Sequence, residues 1–227
     1  MIAAALFDLD DTLYREMDYV ESGFRAAAGF LSGHYDLKED MVYDKAIAIF
    51  KTFGRGKVFD KLLETLNIFY DDMVRLLIYI YRTHRPVIRA YEDVVPVIEQ
   101  LRLTGVKTGL ITNGMAIVQQ NKVTALGIAG LFDVIIYTDA IGAEYWKPSP
   151  VPFKMALNIL NINAKETVYV GDDPSKDFLA PNALGMKTIQ IIRSSGIHKP
   201  TPEGQGYAAQ TIISSLSEYF GAAHENK

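Results

Sequence analysis

From residue 86 onward the chain alternates short apolar runs with helical periodicity, and this alternation constrains the fold more than any other feature. Residues 105–111, 134–137, 167–170 and 187–192 are short, apolar and bounded by Gly, Asp or Asn, as buried strands are. Between and around them, residues 94–103, 115–126, 152–160 and 175–184 carry apolar side chains at intervals of three and four, which predicts helices. Residues 211–213 predict a last short strand before a helix over 215–220. Such an order implies an α/β, Rossmann-like, mostly parallel sheet with helices on both faces.

One further strand lies far upstream. Residues 3–7 read as a buried strand, and from Tyr14 to about Arg89 the texture is helical throughout, with breaks at 33–36 and 54–57 and an end at Arg85-Pro86. That predicts about four helices and no strand. The division expected is an α/β catalytic core of residues 1–14 and 89–227, interrupted by a small all-helical cap domain of residues 15–88. Ligands of open parallel sheets bind beyond the carboxyl ends of the strands. A block inserted directly after the first strand emerges there, which is the geometry of a lid.

The strand ends carry matching chemistry. The first runs into Asp8-Leu9-Asp10-Asp11-Thr12, three carboxylates within four positions. Like charges so close favour neutralisation or a counter-cation. The strand at 105–111 runs into Thr112-Asn113-Gly114, and the one at 167–170 into Gly171-Asp172-Asp173-Pro174-Ser175-Lys176-Asp177. Between them stands Trp146-Lys147-Pro148-Ser149-Pro150, a single lysine flanked by rigid residues. Each stretch alone is ordinary turn chemistry; their order after successive strands places Asp8, Thr112, Lys147 and Asp172 around one cleft.

Composition limits the partners. The 227 residues carry a net charge of -4, without the basic excess of a nucleic-acid binder. There is no cysteine, which removes disulfides, thiolate nucleophiles and Cys-ligated zinc. The N-terminal apolar run has no basic flank and stops at Asp8, unlike a signal peptide, and residues 76–81 are too short to span a bilayer. The expectation is a cytoplasmic protein, monomer or homodimer, with neither nucleic acid nor membrane as partner, and a small anionic substrate stays open because a site can be locally positive in an acidic protein.

These motifs resemble those of the haloacid dehalogenase-like hydrolase superfamily, in its phosphatase branch. DLDDT is similar to its DxDxT signature, LITNG to its second motif, Lys147 in WKPSP to its third and GDDPSKD to its acidic fourth. The helical block stands where that family inserts a cap. Two departures are Asp11, where Gly is frequent, and the bulky Tyr145-Trp146 before Lys147. The resemblance implies Asp8 as nucleophile, forming an aspartyl-phosphate, and Asp10 as the acid and base for leaving group and water. It implies Thr112, the Asn113 backbone and Lys147 as phosphate binders, and Mg²⁺ held by Asp8, the Asp10 carbonyl and Asp172. Asp177 is expected to orient Lys147 or a metal-bound water, while Asp173 is either a turn residue or a ligand. Dehalogenation releases halide and needs no proton, so Asp10 favours phosphate chemistry, and the resemblance implies a small phosphorylated metabolite (sugar phosphate, nucleotide or phospho-acid) as substrate. A phosphosugar mutase of the same superfamily is an alternative reading. A non-catalytic phosphoacceptor receiver is a second, disfavoured by its shorter length and the absence of a helical insertion.

The remaining features read as structural. His34, His84, His198 and His224 lack metal-ligand spacing, and Tyr14, Tyr19, Tyr70, Tyr79 and Tyr81 fit a helical core. Gly54-Arg55-Gly56 lacks the strand and third glycine of a dinucleotide fingerprint. Arg55 and Lys57 in that loop are expected to help select the substrate.

Overall fold

A computed structural model describes residues 2–194, 196 and 204–221, so His198 and His224 lie outside the described residues. The chain divides into two compact units, Met1–Glu16 with Ile88–Lys227, and Met17–Val87. Six strands form one sheet: β1 (Ala4–Phe7), β2 (Lys107–Thr112), β3 (Val134–Tyr137), β4 (Thr167–Gly171), β5 (Lys187–Ile191) and β6 (Thr211–Ile213). The helices are α1 (Glu16–His34), α2 (Glu39–Phe53), α3 (Val58–Thr65), α4 (Asp71–Thr83), α5 (Val94–Leu103), α6 (Ala116–Leu126), α7 (Val151–Leu160), α8 (Leu179–Leu184) and α9 (Leu216–Phe220).

The sheet order is β3-β2-β1-β4-β5-β6, with every neighbouring pair parallel. β1 therefore lies inside the sheet, and its residues Ala-Ala-Leu-Phe are all buried, the continuous apolar run that a strand covered on both faces requires. Alternate side chains serve opposite faces. Leu6 joins Phe153 of α7, Tyr169, Phe178 and Ala180 of α8 in one cluster. Phe7 points the other way, its ring centroid 6.3 Å from Phe132 and 6.2 Å from Phe220 of α9. Truncating this fully buried ring to alanine is expected to cost about 3–5 kcal/mol.

Register decides where the chemistry collects. Phe7, the last residue of β1, stands beside Leu110 of β2 and Val170 of β4; β2 ends two residues further on at Thr112 and β4 one further on at Gly171, so Asp8, Thr112 and Asp172 gather at one rim. Gly171 permits this rim to close tightly, because a Cβ there would lie 2.6 Å from the Asp177 carboxyl carbon. On the upstream side, Tyr14 bridges to Ala90 and the Tyr91 N–H donates to the Leu13 carbonyl at 3.0 Å. The chain thus returns beside the point where it left.

Helix lengths depart from the sequence reading at one informative place. The pattern predicts a helix over 175–184, yet α8 starts only at Leu179. The Asp173 carboxylate accepts from the Ser175 N–H at 3.0 Å and its hydroxyl at 2.7 Å, and Asp177 accepts from the Asp173 N–H at 3.0 Å. These local bonds offer the backbone an alternative to helix.

The other unit has its own core, in which Phe24, Leu31, Val42, Leu62, Leu63 and Leu77 from α1 to α4 are buried together. Tyr19 packs edge-on to Tyr81 with centroids 5.5 Å apart. Tyr70 and Tyr79, expected in this core, are instead exposed, because the apolar stripe of α4 faces inward through Met73 and Leu77. Among the described residues no helix is long and apolar enough to cross a membrane.

Candidate active site

Asp8 follows β1 directly and is almost completely buried. Its Oδ1 accepts from Lys147 Nζ at 2.6 Å and its Oδ2 from Lys176 Nζ at 3.3 Å. Burial opposes the charge on Asp8, but the two ammonium groups outweigh it and hold the carboxyl below its usual pKa. The two ammonium groups thus favour the carboxylate form of Asp8 in a nearly dry place.

Lys147 is fixed on all sides. Its Nζ also donates to Asp177 Oδ1 at 2.7 Å and to the Tyr169 phenol at 2.9 Å, and that phenol donates to the same Asp177 oxygen at 2.9 Å. Its backbone is tied to the end of β2, since the Asn113 amide accepts from the Lys147 N–H at 2.9 Å and donates to its carbonyl at 3.1 Å. Thr138, just past β3, donates to the Asn113 Oδ1 at 2.9 Å. The Asn113 side chain is therefore occupied in joining the loop after β2 to those carrying Thr138 and Lys147.

Asp10 turns its carboxylate to a different set of partners. Lys122 Nζ donates to its Oδ1 at 2.7 Å, Gln119 Nε2 donates to its Oδ2 at 2.8 Å, and the Tyr14 hydroxyl donates to Oδ1. Burial again resists the charge, and Lys122 with these hydrogen bonds overrides it, holding Asp10 well below the usual carboxylate range. Gln119 also donates to the Thr112 hydroxyl, so one amide links the Asp10 carboxylate to the end of β2. Asp11 has a left-handed backbone, φ 52°, which Asp tolerates better than most residues, and its side chain accepts from the Glu16 N–H at 2.8 Å at the start of α1. Thr12 lies in the same turn; its carbonyl accepts from Arg193 at 3.0 Å, and Arg193 is paired with Asp93 at 2.9 Å.

Asp172 is the unresolved charge of the site. Its Oδ1 is buried with no hydrogen-bond partner, and burial, with Asp8, Asp177 and Asp11 nearby, pushes its pKa well above normal despite Lys176. Ligand oxygens of Asp8, Asp172 and Asp177 lie within 4.8 Å of one another. A hard, oxygen-only donor set with an orphaned buried carboxylate oxygen fits a divalent cation such as Mg²⁺. Asp177 is the weakest ligand of the three, because Oδ1 is taken by Lys147 and Tyr169 and Oδ2 by the Asp173 N–H. Of its two expected roles, the geometry favours orienting Lys147. Asp173 acts on its own turn through Ser175.

The rim thus brings together Asp8, Asp10, Thr112, Asn113, Lys147, Asp172 and Asp177. Arg55 and Lys57 belong to the other unit, where they line a cavity of about 240 Å³ walled by Phe24, Phe50, Phe59 and Tyr81. His84 donates through Nδ1 to the Tyr81 carbonyl at 2.7 Å and its Nε2 lies 3.0 Å from the Ser22 hydroxyl, and His34 donates through Nδ1 to the Phe30 carbonyl of its own helix at 2.8 Å. Sequence reasoning missed Gln119, Lys122, Tyr169 and Lys176, and placed Tyr14 in the helical core rather than on Asp10.

Residues 5–191 match the family model described as haloacid dehalogenase-like hydrolase. A glyceraldehyde 3-phosphate phosphatase of Methanopyrus kandleri is 36% identical over 85% of this chain and 85% of its own length. A protein of the same name from Methanocaldococcus jannaschii is 34% identical over 96% of this chain and 95% of its own. Among solved structures, a putative beta-phosphoglucomutase from Thermotoga maritima aligns with a TM-score of 0.67 at 18% identity, covering 100% of both chains. That likeness speaks for the fold alone.

Proposed function

We propose that this chain, which belongs to the haloacid dehalogenase-like hydrolases and acts on phosphate esters, is a Mg²⁺-dependent phosphatase working through an aspartyl-phosphate on Asp8. The observation that carries this reading is the buried Asp8 carboxylate held ionised by Lys147 and Lys176 at the strand rim. A phosphate dianion repels nucleophiles and its alkoxide leaves poorly, so the site must hold reacting oxygens in line and neutralise charge.

In the first step an Asp8 oxygen bonds to phosphorus while the ester P–O bond breaks, and the leaving oxygen takes a proton from Asp10. In the second, water attacks the phosphorus, Asp10 takes the water's proton, and the bond to Asp8 breaks to release inorganic phosphate. The described state of Asp10, held as a carboxylate by Lys122, is the form that the second step requires. A substrate dianion beside it raises its proton affinity for the first. Thr112, the Asn113 N–H and Lys147 bind the phosphoryl oxygens, and Asp177 with Tyr169 keeps the Lys147 ammonium aimed at Asp8. Asp8, the Asp10 carbonyl and Asp172 would hold Mg²⁺, which supplies charge neutralisation to nucleophile and phosphate when bound.

For the substrate, the two archaeal relatives support glyceraldehyde 3-phosphate, because the similarity runs along nearly the whole of both chains. Phosphate release from glyceraldehyde 3-phosphate with Mg²⁺ tests both levels. The wild type is expected to turn it over with higher kcat/KM than p-nitrophenyl phosphate, and Asp8→Asn to lose nearly all activity on both. Substantial turnover by Asp8→Asn overturns the mechanism. Preference for the aryl ester overturns the substrate.

A further inference from the structure

We propose that Gln119 and Lys122 of α6 form a clamp that positions the Asp10 carboxylate for proton transfer to and from the reacting oxygens. The two residues are three apart and so project from one helix face. Both are buried, 1% and 4% exposed, on a helix whose Ile117 is left 48% exposed. Lys122 holds Asp10 Oδ1 at 2.7 Å and Gln119 holds Oδ2 at 2.8 Å, so each carboxylate oxygen has its own donor from the same helix. A carboxylate gripped at both oxygens cannot rotate freely. Gln119 makes a second bond, to the Thr112 hydroxyl, and thereby sets the spacing between the proton-transfer group and the phosphate-binding end of β2.

Burying a lysine and a glutamine costs solvation that an apolar pair would not, and a helix pressed on a sheet normally offers its apolar face. Asp139 anchors this orientation, since its carboxylate accepts from the Ala116 N–H at 3.0 Å at the first residue of α6. α6 is thus held with its polar face on Asp10. Both members are positioning residues, acting on the reaction only through Asp10 and Thr112.

The inference rests on the proposed acid role of Asp10, and leaving-group dependence separates the two. Glycerol 2-phosphate expels an alkoxide that needs a proton; p-nitrophenyl phosphate expels a phenolate that does not. Lys122→Met is expected to lower the pre-steady-state rate at which Asp8 is phosphorylated by the alkyl ester about 10²-fold and by the aryl ester less than about 5-fold, while the later hydrolysis step, in which Asp10 is the base, slows alike for both. Gln119→Met should show the same selective loss and also raise KM on both esters, through Thr112. In an Asp10→Asn background Lys122→Met should add no further selective loss. Gln119→Met removes no charge, so it keeps the test decisive where Lys122→Met destabilises the fold. If Asp10→Asn shows the selective loss and the two clamp variants lose both esters equally, the clamp is wrong and the acid role stands. If Asp10→Asn itself spares the alkyl ester, the acid role fails and takes the clamp with it.

Discussion

Adding a single methyl group at Gly171 tests whether the Lys147 network must be held to sub-ångström tolerance. A Cβ at this position would lie 2.6 Å from Asp177 Cγ, 2.6 Å from its Oδ2 and 2.9 Å from its Cβ. Non-bonded carbons settle at about 3.5–4.0 Å, so Asp177 has to retreat by about 1 Å. It has little room to do so, being fully buried with both oxygens already bonded. The retreat takes Oδ1 away from Lys147 Nζ, now 2.7 Å distant, and frees the ammonium that faces Asp8. A displacement of this size in a positioning group costs about 10²-fold in rate. Overpacking adds about 1–3 kcal/mol of destabilisation, or a fall in Tm of roughly 2–12 °C for a chain of this size. Gly171→Ala is assayed for kcat and KM on p-nitrophenyl phosphate and for Tm by calorimetry. Gly33→Ala, where an added Cβ meets nothing within 4 Å, is the control. A Gly171→Ala enzyme within about 3-fold of wild-type kcat would refute the claim that Asp177 must stay on Lys147.

Other expected outcomes follow from the same geometry. Tyr169→Phe keeps the ring that packs edge-on against Phe153 and removes only the phenol on Lys147 and Asp177, so kcat should fall about 10-fold with KM little changed; an unchanged kcat removes Tyr169 from the network. Chelation should abolish turnover and Mg²⁺ restore it, Mg²⁺ at about 100 times its Kd should raise stability by about 2.7 kcal/mol, and Asp172→Ala should shift the Mg²⁺ titration to higher concentration; full activity in excess chelator excludes the site. His84 is held below its normal pKa by burial, partly offset by its bond to the Tyr81 carbonyl. A depressed histidine adds stability that is present above its unfolded pKa and lost as pH falls through the folded value, so His84→Gln should flatten the acid limb of Tm against pH below about 6.5. Arg55→Ala should raise KM for the preferred substrate while leaving p-nitrophenyl phosphate unchanged; equal effects on both esters return that loop to a solvated turn.

Much of the sheet was legible because its strands are short apolar runs with sharp ends, and register then followed from the fold. Where boundaries moved, local hydrogen bonding moved them. The strand expected from 105 begins at Lys107, because Gly105, at φ 82°, and Val106 close α5 through bonds of 3.0 Å to the Arg102 and Leu101 carbonyls. Thr112 stays in the strand because it pairs with Tyr137. Tyr14 ends the expected core segment, and its bridge to Ala90 keeps it in the sheet-bearing unit, where its hydroxyl meets Asp10 and not the tyrosines of the helical core.

The residues of the site that follow strands were legible, and those arriving from helices were not, for a reason that α6 makes plain. Periodicity assigns the buried face of a helix from its apolar residues, and in AIVQQNKVTAL those residues do not gather on one side. The face that packs inward carries Gln119, Lys122 and Val123, while Ile117 looks outward. What turns the helix this way is a carboxylate elsewhere in the chain. An ionised Asp10 at the rim of a buried sheet needs donors, and leaving it unpaired would cost more than exposing an isoleucine. The signal available in the sequence was therefore negative: a helix of adequate length, required by topology to cover a sheet, without an apolar stripe to do so. Such a helix has to bury polar groups, and buried polar groups need hydrogen-bond partners. Asp8, Asp10 and Asp172 were already placed at strand ends, so a lysine and an amide three residues apart on the intervening helix were the donors available to meet them.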